Sequence, residues 1–323
     1  MKSPISRASL ALALFAAAGA TLAADPYPSK PIRFVVNSAA GALMDVTARA
    51  VAQQMSEKLG QPIIVEDKPG ADGQLGIRYV KGQPADGYTI LVTANTIAQL
   101  PAVKSDPGYD LVKDFTGVGI MNIAPLVLVA PASQPEKSLA EFIATAKAKP
   151  NALSTASAGV GTSTHMAAAL FMHQAGVKML HVPYKGNAAA LPDLVGGRVN
   201  MLFDGLNSAG PQIKDGRLKA YGISSPKRSP TYPDIPTLAE QGLPNYSFHV
   251  YMGLVAPAGT PKAVVQRLSE ALQYAQSTES VRDRFRRDGA QPGTMSPEEF
   301  TEFLKQDMQR TVKVATDLGI PKE

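Results

Sequence analysis

The sequence contains no cysteine and no tryptophan, and aromatic residues make up only 6% of it. Without cysteine the chain can form no disulfide bond, use no catalytic thiolate and offer no cysteine ligand to a metal. A nucleic-acid-binding protein would need a dense basic stripe with stacking aromatics, whereas the net charge here is only +5 and is scattered over 323 residues. We therefore expect no nucleic-acid partner.

Motifs for metals, phosphates and dinucleotides are also missing. The chain has no HExxH motif, no P-loop and no acidic cluster with metal-ligand spacing. Gly159-Val-Gly161 lacks the third glycine of a dinucleotide fingerprint, and Ser163 does not lie in a GxSxG elbow. We expect no metal and no cofactor.

Long apolar runs are absent except at the N-terminus. Lys2 and Arg7 precede an apolar run that ends in the small residues Ala23 and Ala24, which predicts a secretory signal peptide over residues 1–23. No later run approaches the roughly 20 apolar residues of a membrane helix. A cysteine-free exported chain predicts a periplasmic protein, since small secreted eukaryotic domains usually depend on disulfides.

Strand-like and helix-like segments alternate along the rest of the chain. This alternation is typical of an α/β fold with parallel sheets. The predicted strands are Ile32–Val36, Pro62–Glu66, Tyr88–Thr93, Val118–Met121, Pro125–Ala130, Leu153–Ala156, Met179–Pro183, Val199–Phe203, Lys219–Ile223 and Tyr251–Ala256. The predicted helices are Asp45–Leu59, Gly73–Lys81, Ser138–Ala148, one that begins near Met166, Asn187–Val195, Pro261–Ser277 and Pro297–Leu318.

The same order of strand, loop and helix occurs twice, over Phe34–Asp45 and again over Ser154–His165. Nearly contiguous strand runs around Met121–Pro125 predict one crossing between two lobes, and Asn245–His249 predicts the return. Two α/β lobes whose loops face each other form a cleft, and ligands of open α/β sheets bind beyond the carboxyl ends of the strands. We expect lobe 1 to comprise residues 24–124 and 246–323, and lobe 2 residues 125–245.

The loop at residues 159–165 carries the clearest functional signal. Its glycines allow a tight turn, and Thr162, Ser163 and Thr164 place hydroxyls where a helix begins. A helix N-terminus has unpaired N–H groups and the positive end of the dipole, so it favours anions. An ordinary capped helix explains the same residues, because Ser and Thr are common N-caps. The loop has no charged side chain, which favours carboxylate capture over phosphate transfer.

Two other functional classes remain open at this stage. A secreted α/β hydrolase or lyase would use Ser163 or His165, with Asp204 as a third member of a triad. An exported scaffold protein would keep the cleft without a ligand. Stoichiometric binding without turnover separates a receptor from the first alternative, and ligand-dependent compaction separates it from the second.

Several segments are long and unusual enough that a chance match to another protein family is very unlikely. They are Tyr27–Val36, Val65–Ala71, Pro84–Leu91, Gly159–His165, His181–Gly186, Met201–Asp204, Ser225–Ser229 and Gly253–Pro261. In content and order they resemble the solute-binding proteins of tripartite tricarboxylate transporters, the Bug-type receptors. The resemblance implies a type II periplasmic binding protein, here expected to be a monomer. It would close on a small organic carboxylate and deliver it to the membrane subunits of such a transporter.

The resemblance also implies a set of ligand-binding residues, and the solute itself is left open among amino acids and aliphatic or aromatic carboxylates. Asp204 would accept from a ligand amine or hydroxyl or would orient a loop, and His165 is more typical of a packed residue than of a proton donor. The full set is Ser38, Ala39, Ala40, Gly41, Ala42, Leu43, Thr93, Gly161, Thr162, Ser163, Thr164, His165, Gly186, Asn187 and Asp204.

The first-lobe loop departs from the family pattern. Its usual proline is missing, and Leu43 and Met44 stand where small polar residues are common. If these side chains face the cleft, we expect a solute with an apolar or aromatic body. If they pack beneath the helix, they carry no information about the solute.

Overall fold

The structure, a computed structural model, describes residues 27–322, so the predicted signal peptide lies outside the described residues. Its strands are β1 (Ile32–Val36), β2 (Ile63–Asp67), β3 (Thr89–Ala94), β4 (Phe115–Pro131), β5 (Ser154–Ser157), β6 (Leu180–Pro183), β7 (Met201–Gly205), β8 (Leu218–Ile223), β9 (His249–Pro257) and β10 (Gln291–Pro292). Its α-helices are α1 (Leu43–Leu59), α2 (Gln74–Lys81), α3 (Thr96–Val103), α4 (Leu111–Asp114), α5 (Leu139–Ala148), α6 (Ser163–Ala175), α7 (Asn187–Val195), α8 (Leu206–Lys214), α9 (Lys262–Ser277), α10 (Glu279–Arg287) and α11 (Pro297–Asp317).

The strands form a mixed sheet in the order β2-β1-β3-β9-β4-β7-β5-β6, with β8 and β10 also paired to β4. The outer strands are parallel, as the alternation predicts: β1 pairs with β2 and β3, and β5 pairs with β6 and β7. The expectation of parallel sheets is wrong at the centre, where β4 and β9 run antiparallel to their neighbours. These two strands carry the chain between the lobes in opposite directions, which makes their mutual pairing antiparallel.

Two α/β lobes share the central strand β4. The two apolar runs predicted around Met121–Pro125 are one continuous strand of 17 residues. Up to Pro125 this strand pairs with β9, and from Leu126 onward it pairs with β7 and β8. The return crossing lies beside it, since Ser224 accepts from the Phe248 N–H and its hydroxyl accepts from the Leu126 N–H. The crossing segments are therefore adjacent and hydrogen-bonded.

Each lobe buries apolar side chains on both faces of its part of the sheet. In the first lobe, Phe34 of β1 and Met55 of α1 are fully buried in one cluster, and Ile77 of α2 is fully buried on the other face. In the second lobe, Phe171 of α6 and Leu194 of α7 are buried in separate clusters. Burial contributes about 25 cal/mol per Å² of apolar surface removed from water, so these clusters hold the helices on the sheet.

The predicted helices do not include α3, α4, α8 or α10. Helix α3 contains Pro101, and proline normally ends a helix because it lacks an N–H and crowds the carbonyl four residues earlier. Here that carbonyl belongs to Ile97, and the Tyr109 hydroxyl donates to it over 2.7 Å. The tertiary contact replaces the bond that Pro101 cannot make.

The C-terminal helix α11 reaches both lobes. It begins with a capping box between Ser296 and Glu299, and Phe300 is buried in the first lobe. Near its other end, Val314 and Ala315 belong to the core cluster of the second lobe. None of the helices in residues 27–322 combines the length and apolar character needed to cross a bilayer.

Candidate ligand-binding site

The carboxyl ends of the parallel strands bring the candidate residues of each lobe together. In the first lobe, β1 leads into the first-lobe loop (residues 37–42), and its neighbour β3 leads into α3. In the second lobe, β5 leads into the second-lobe loop (residues 158–162), while the neighbours β6 and β7 end near Asn187 and Asp204. Open α/β folds bind ligands at such edges.

The first-lobe loop is held by a buried carboxylate. Oδ2 of Asp45 accepts from the Gly41 N–H over 2.8 Å, and Oδ1 lies 2.7 Å from Nε of Arg49. Arg49 also reaches Asp67 at the end of β2, with 3.0 Å between Nη2 and Oδ2. Burial, and then the negative charge of Asp45, raise the pKa of Asp67. The Gly41 N–H is thus already engaged inside the loop.

Leu43 and Met44 differ in their surroundings. Leu43 has 46% of its surface exposed, whereas Met44 is half-buried and packs against the first-lobe core. Residues at successive helical positions point about 100° apart, and here only the Met44 side chain reaches the core. Packing beneath the helix therefore accounts for Met44 but not for Leu43.

Most polar groups of the second-lobe loop bond within the loop. The Thr162 hydroxyl donates to the Gly159 carbonyl and caps α6 by accepting from the His165 N–H. The Thr164 hydroxyl accepts from the Ala158 N–H over 2.9 Å. Thr162 and Thr164 thereby fix the shape of the loop. The N–H groups of Ser163 and Thr164 have no partner within residues 27–322, as expected for a first helical turn.

His165 and His181 pack against each other, and they contact the second-lobe loop and the end of β5 that precedes it. Their rings stack with centroids 3.9 Å apart and planes at 11°. Nδ1 of His165 accepts from the Gly161 N–H over 3.1 Å, and Nε2 of His181 lies 2.6 Å from the Ser157 hydroxyl. Burial, and then the neighbouring His181, lower the pKa of His165 to about 4, and burial also lowers the pKa of His181. His165 is a packed, neutral side chain that positions Gly161.

Asn187 and Asp204 form a pair at the ends of β6 and β7. The Asn187 amide donates to Oδ1 of Asp204 over 2.6 Å and to the Phe203 carbonyl over 3.1 Å. Oδ1 of Asn187 and Oδ2 of Asp204 are buried without a partner in residues 27–322. Two acceptor atoms are therefore left next to the second-lobe loop. Gly186 caps α7 with φ of +96°, and its N–H bonds to the Ala158 carbonyl.

Gln99 is a residue that sequence reasoning missed. It lies on α3, is 1% exposed, and its Oε1 accepts from the Ser163 hydroxyl over 3.4 Å. This contact joins the first lobe to the start of α6. In the sequence, Gln99 is recognisable only as a polar amide shortly after the predicted strand Tyr88–Thr93. The helix that carries it was not predicted, because Pro101 argues against a helix there.

Four other predicted site residues, all from the first lobe, lie in distinct environments: Thr93, Ser38, Ala39 and Ala40. Thr93 is fully buried in β3 and its hydroxyl bonds to the Ala94 carbonyl over 3.4 Å. Ala39 and Ala40 are exposed. The Ser38 hydroxyl is buried without a partner in the described residues.

Neither a catalytic triad nor a metal centre is assembled from these residues. Ser163 bonds to Gln99 and Asp204 bonds to Asn187, so the predicted triad of Ser163, a histidine and Asp204 is not formed in the described residues. Those residues contain no group of three or more His, Cys, Asp or Glu side chains that could hold a metal ion. A cavity of about 590 Å³ lies beside His165 and His181, and its lining includes no residue of the first-lobe loop.

Comparison with known families decides the class of the protein. The model of the tripartite tricarboxylate transporter family receptor matches residues 47–320. The chain belongs to this family. The members of this family are periplasmic solute-binding receptors rather than enzymes, and the alternative of a secreted hydrolase is not supported.

Individual members of the receptor family match over nearly the whole chain. The UPF0065 protein in the tcbD–tcbE intergenic region of Pseudomonas sp. (strain P51) is 34% identical over 311 residues, which cover 96% of this chain and 93% of that protein. An R. palustris protein solved with adipate is 32% identical, has a TM-score of 0.75, and covers 92% of this chain and 100% of its own. MatC from Rhodopseudomonas palustris, with bound malate, is 31% identical with a TM-score of 0.71, covering 90% and 100%.

Within this receptor fold, some of the predicted residues support the site and others leave polar groups available. Gly41, Thr162, Thr164 and His165 hold the loops in shape through the bonds described above. Among residues 27–322, the groups without a hydrogen-bond partner include the N–H groups of Ser163 and Thr164 and the side-chain atoms Ser38 Oγ, Asn187 Oδ1 and Asp204 Oδ2, to which the structure adds Gln99 Nε2.

Proposed function

We propose that this chain is a periplasmic receptor that binds one small organic carboxylate between its two loops without chemical turnover. The observation that carries the proposal is the start of α6. There the N–H groups of Ser163 and Thr164 have no partner in the described residues, and the Ser163 hydroxyl meets Gln99 of the other lobe. N–H donors at a helix start favour a carboxylate.

The proposal also covers the export of the protein and the assignment of its residues to two lobes. Residues 1–23 are a signal peptide that is removed on export, and the mature receptor is a monomer. Lobe 1 comprises residues 24–124 and 246–323, and lobe 2 comprises residues 125–245. The receptor hands its ligand to the membrane subunits of a tripartite tricarboxylate-type transporter. Family membership supports this partner.

The unpartnered acceptors narrow the chemistry of the ligand. Oδ1 of Asn187 and the carboxylate Oδ2 of Asp204 are hydrogen-bond acceptors. A ligand that carries a hydroxyl or an ammonium group besides its carboxylate would satisfy them. Malate, which MatC binds, has this chemistry, whereas adipate, the ligand of the other relative, does not. It stays a prediction that the ligand has an apolar or aromatic body, and this prediction now depends on Leu43, whose side chain is exposed.

The test is calorimetry on a panel of malate, succinate, adipate, citrate and benzoate, with Ser163→Ala beside the wild type. We expect saturable binding of at least one dicarboxylate with one site per chain. A ligand at 100 times its dissociation constant stabilises the protein by about 2.7 kcal/mol, so thermal shift offers a second readout. Ser163→Ala keeps the backbone N–H donors and removes the hydroxyl that meets Gln99 of the other lobe, so it should weaken binding by up to about tenfold through loss of a neutral hydrogen bond between the lobes.

Ser138→Ala is the matched control, because Ser138 also begins a second-lobe helix and caps it by accepting from Glu141. This variant should lose about 1 kcal/mol of stability and keep the affinity of the wild type. If no carboxylate on the panel binds, or if one is consumed, the proposed function is wrong.

A further inference from the structure

Gln99 combines burial with an unsatisfied donor. The side chain is 1% exposed, and its Nε2 has no hydrogen-bond partner among residues 27–322. Leaving a buried donor unpaired is unfavourable, because the group loses its bonds to water and gains none in return. Such an atom in a native structure therefore calls for an explanation, and a ligand that accepts the bond is one.

One end of the amide has a neighbour and the other has none. Oε1 lies 3.4 Å from the Ser163 hydroxyl, which donates to it, and Nε2 is the atom that remains for another partner. Ser163 is the first residue of α6, whose N–H groups make up the proposed carboxylate site. The Gln99 amide is thus linked to that site through Ser163. Gln99 itself belongs to the first lobe, whereas α6 belongs to the second.

The helix that carries Gln99 is firmly placed against both lobes. At its start, the Asn95 amide donates to the His249 carbonyl and its Oδ1 accepts from the Tyr251 N–H, which ties it to β9. At its end, Val103 belongs to the buried core of the second lobe. A side chain on a helix held at both ends loses little entropy when it binds.

We propose that Gln99 is a ligand-contacting specificity residue: Nε2 donates to the bound carboxylate while Oε1 keeps its bond to Ser163. This role rests on the proposed function, because it assigns a further donor to the same site. The bound carboxylate then contacts α3 and α6 together, so ligand binding favours the arrangement in which the two lobes meet. A neutral amide supplies this donor without the cost of burying a cation.

The decisive comparison is between ligand affinity and the stability of the unliganded protein. Gln99→Met keeps the length of the side chain and removes both the unpaired donor and the Oε1 that accepts from Ser163, whereas Gln99→Glu keeps that acceptor and removes only the donor. If the donor serves the ligand, this variant should bind the best dicarboxylate of the panel at least about tenfold more weakly. Its unliganded form should unfold at the same denaturant concentration as the wild type or at a higher one, since removal of the buried unsatisfied donor offsets the loss of the long 3.4 Å bond to Ser163.

Gln99→Glu is the second variant, and it replaces the donor with an acceptor that repels a carboxylate. It should weaken binding of the same dicarboxylate further than Gln99→Met does. Thr96→Ala, at a half-buried position on the same helix, is the control and should leave affinity unchanged.

The possible outcomes test the role of Gln99 and the proposed carboxylate-binding function separately. If dicarboxylates bind and Gln99→Met retains wild-type affinity, Gln99 does not contact the ligand. A clear loss of stability in unliganded Gln99→Met would also overturn the role, because the amide would then be a structural group. If no probe binds the wild type, the proposed function falls, and the denaturation of the unliganded variant still decides whether the donor is unsatisfied.

Discussion

Asp204 contributes a buried carboxylate to the proposed site. Its Oδ1 is held by Asn187, and its Oδ2 is free of partners in the described residues. A negative charge at this position disfavours a ligand that presents only carboxylates and favours one that presents a donor. The residue is therefore expected to act on selectivity more than on affinity.

Asp204→Asn should reduce the preference for malate over succinate, which differ by one hydroxyl. Removing the charge weakens the bond to the hydroxyl and relieves repulsion of the second carboxylate, so the ratio of the two affinities should fall about tenfold. Calorimetry with both ligands measures the ratio. Asp193→Asn is the control, because Asp193 pairs with Arg198 at the surface. An unchanged ratio would place the ligand away from Asp204.

His165 makes stability depend on pH. The pKa of the buried imidazole is lowered from 6.5 to about 4, so between these values the unfolded chain binds a proton that the folded protein does not. Stability is therefore fully present above pH 6.5 and is lost as the pH falls toward 4, by roughly 3 kcal/mol for this residue. His181 and His249, whose pKa values are also lowered by burial, act in the same direction.

His165→Asn should flatten this pH dependence, since asparagine keeps an acceptor for the Gly161 N–H but does not titrate. Urea unfolding at pH 8 and at pH 5 gives the comparison. At pH 8 the imidazole is neutral in both states and serves as the internal control for any packing loss. An equal loss of stability in variant and wild type between pH 8 and pH 5 would show that His165 is not the titrating group.

Packing between α3 and the second-lobe loop depends on a glycine. Gly161 has φ of +73°, and a Cβ there would lie 2.8 Å from Cγ2 of Val103. Backbone conformation and close approach both require glycine at this position. The loop that supplies the carboxylate donors is therefore fixed by its contact with a helix that the sequence patterns did not predict.

Gly161→Ala should destabilise the protein by more than Gly176→Ala, and it should also weaken ligand binding. Gly176 ends α6 with φ of +63° and has open space around it, so alanine there adds only the left-handed strain of about 1–2 kcal/mol. Denaturant unfolding of both variants isolates the effect of the contact with Val103. Equal losses of stability would mean that the contact relaxes without cost.

The whole molecule has more connections between its lobes than the two crossing strands. Helix α11 contributes Phe300 to the first lobe and Val314 to the second, and α3 links the hinge strand β9 to the start of α6. We expect the receptor to close by rotation about the paired segments of β4 and β9. The chain of contacts through Gln99 and Ser163 would open and close with it.

A bound dicarboxylate should reduce the radius of gyration in solution scattering. Ligand contacts to both α3 and α6 stabilise the arrangement in which the lobes meet, and this shifts the population toward the compact form. Gln99→Met at saturating ligand is the informative control, because it should compact less completely. Identical scattering curves with and without a ligand that calorimetry shows to bind would rule out a closing cleft.

The sequence by itself determined the class of the protein and most of its elements. Alternating apolar runs with strong turn and cap signals are local properties, so β1 at Ile32–Val36 and α7 at Asn187–Val195 were predicted with their observed bounds. The segments that resemble the receptor family gave the fold class, which the family match confirmed. Apolar patterning also predicted that both loops begin at the ends of buried strands.

Only the tertiary structure decided which polar atoms are free. Thr162, Ser163 and Thr164 are equivalent as a sequence pattern, but two of their hydroxyls are used inside the loop and the third meets Gln99. Helix α3 was beyond prediction because Pro101 argues against a helix, and the compensating bond comes from Tyr109, which lies outside it. Hydrogen bonds between residues distant in sequence leave no local pattern, so the division of the site into supporting and available groups appears only in the folded chain.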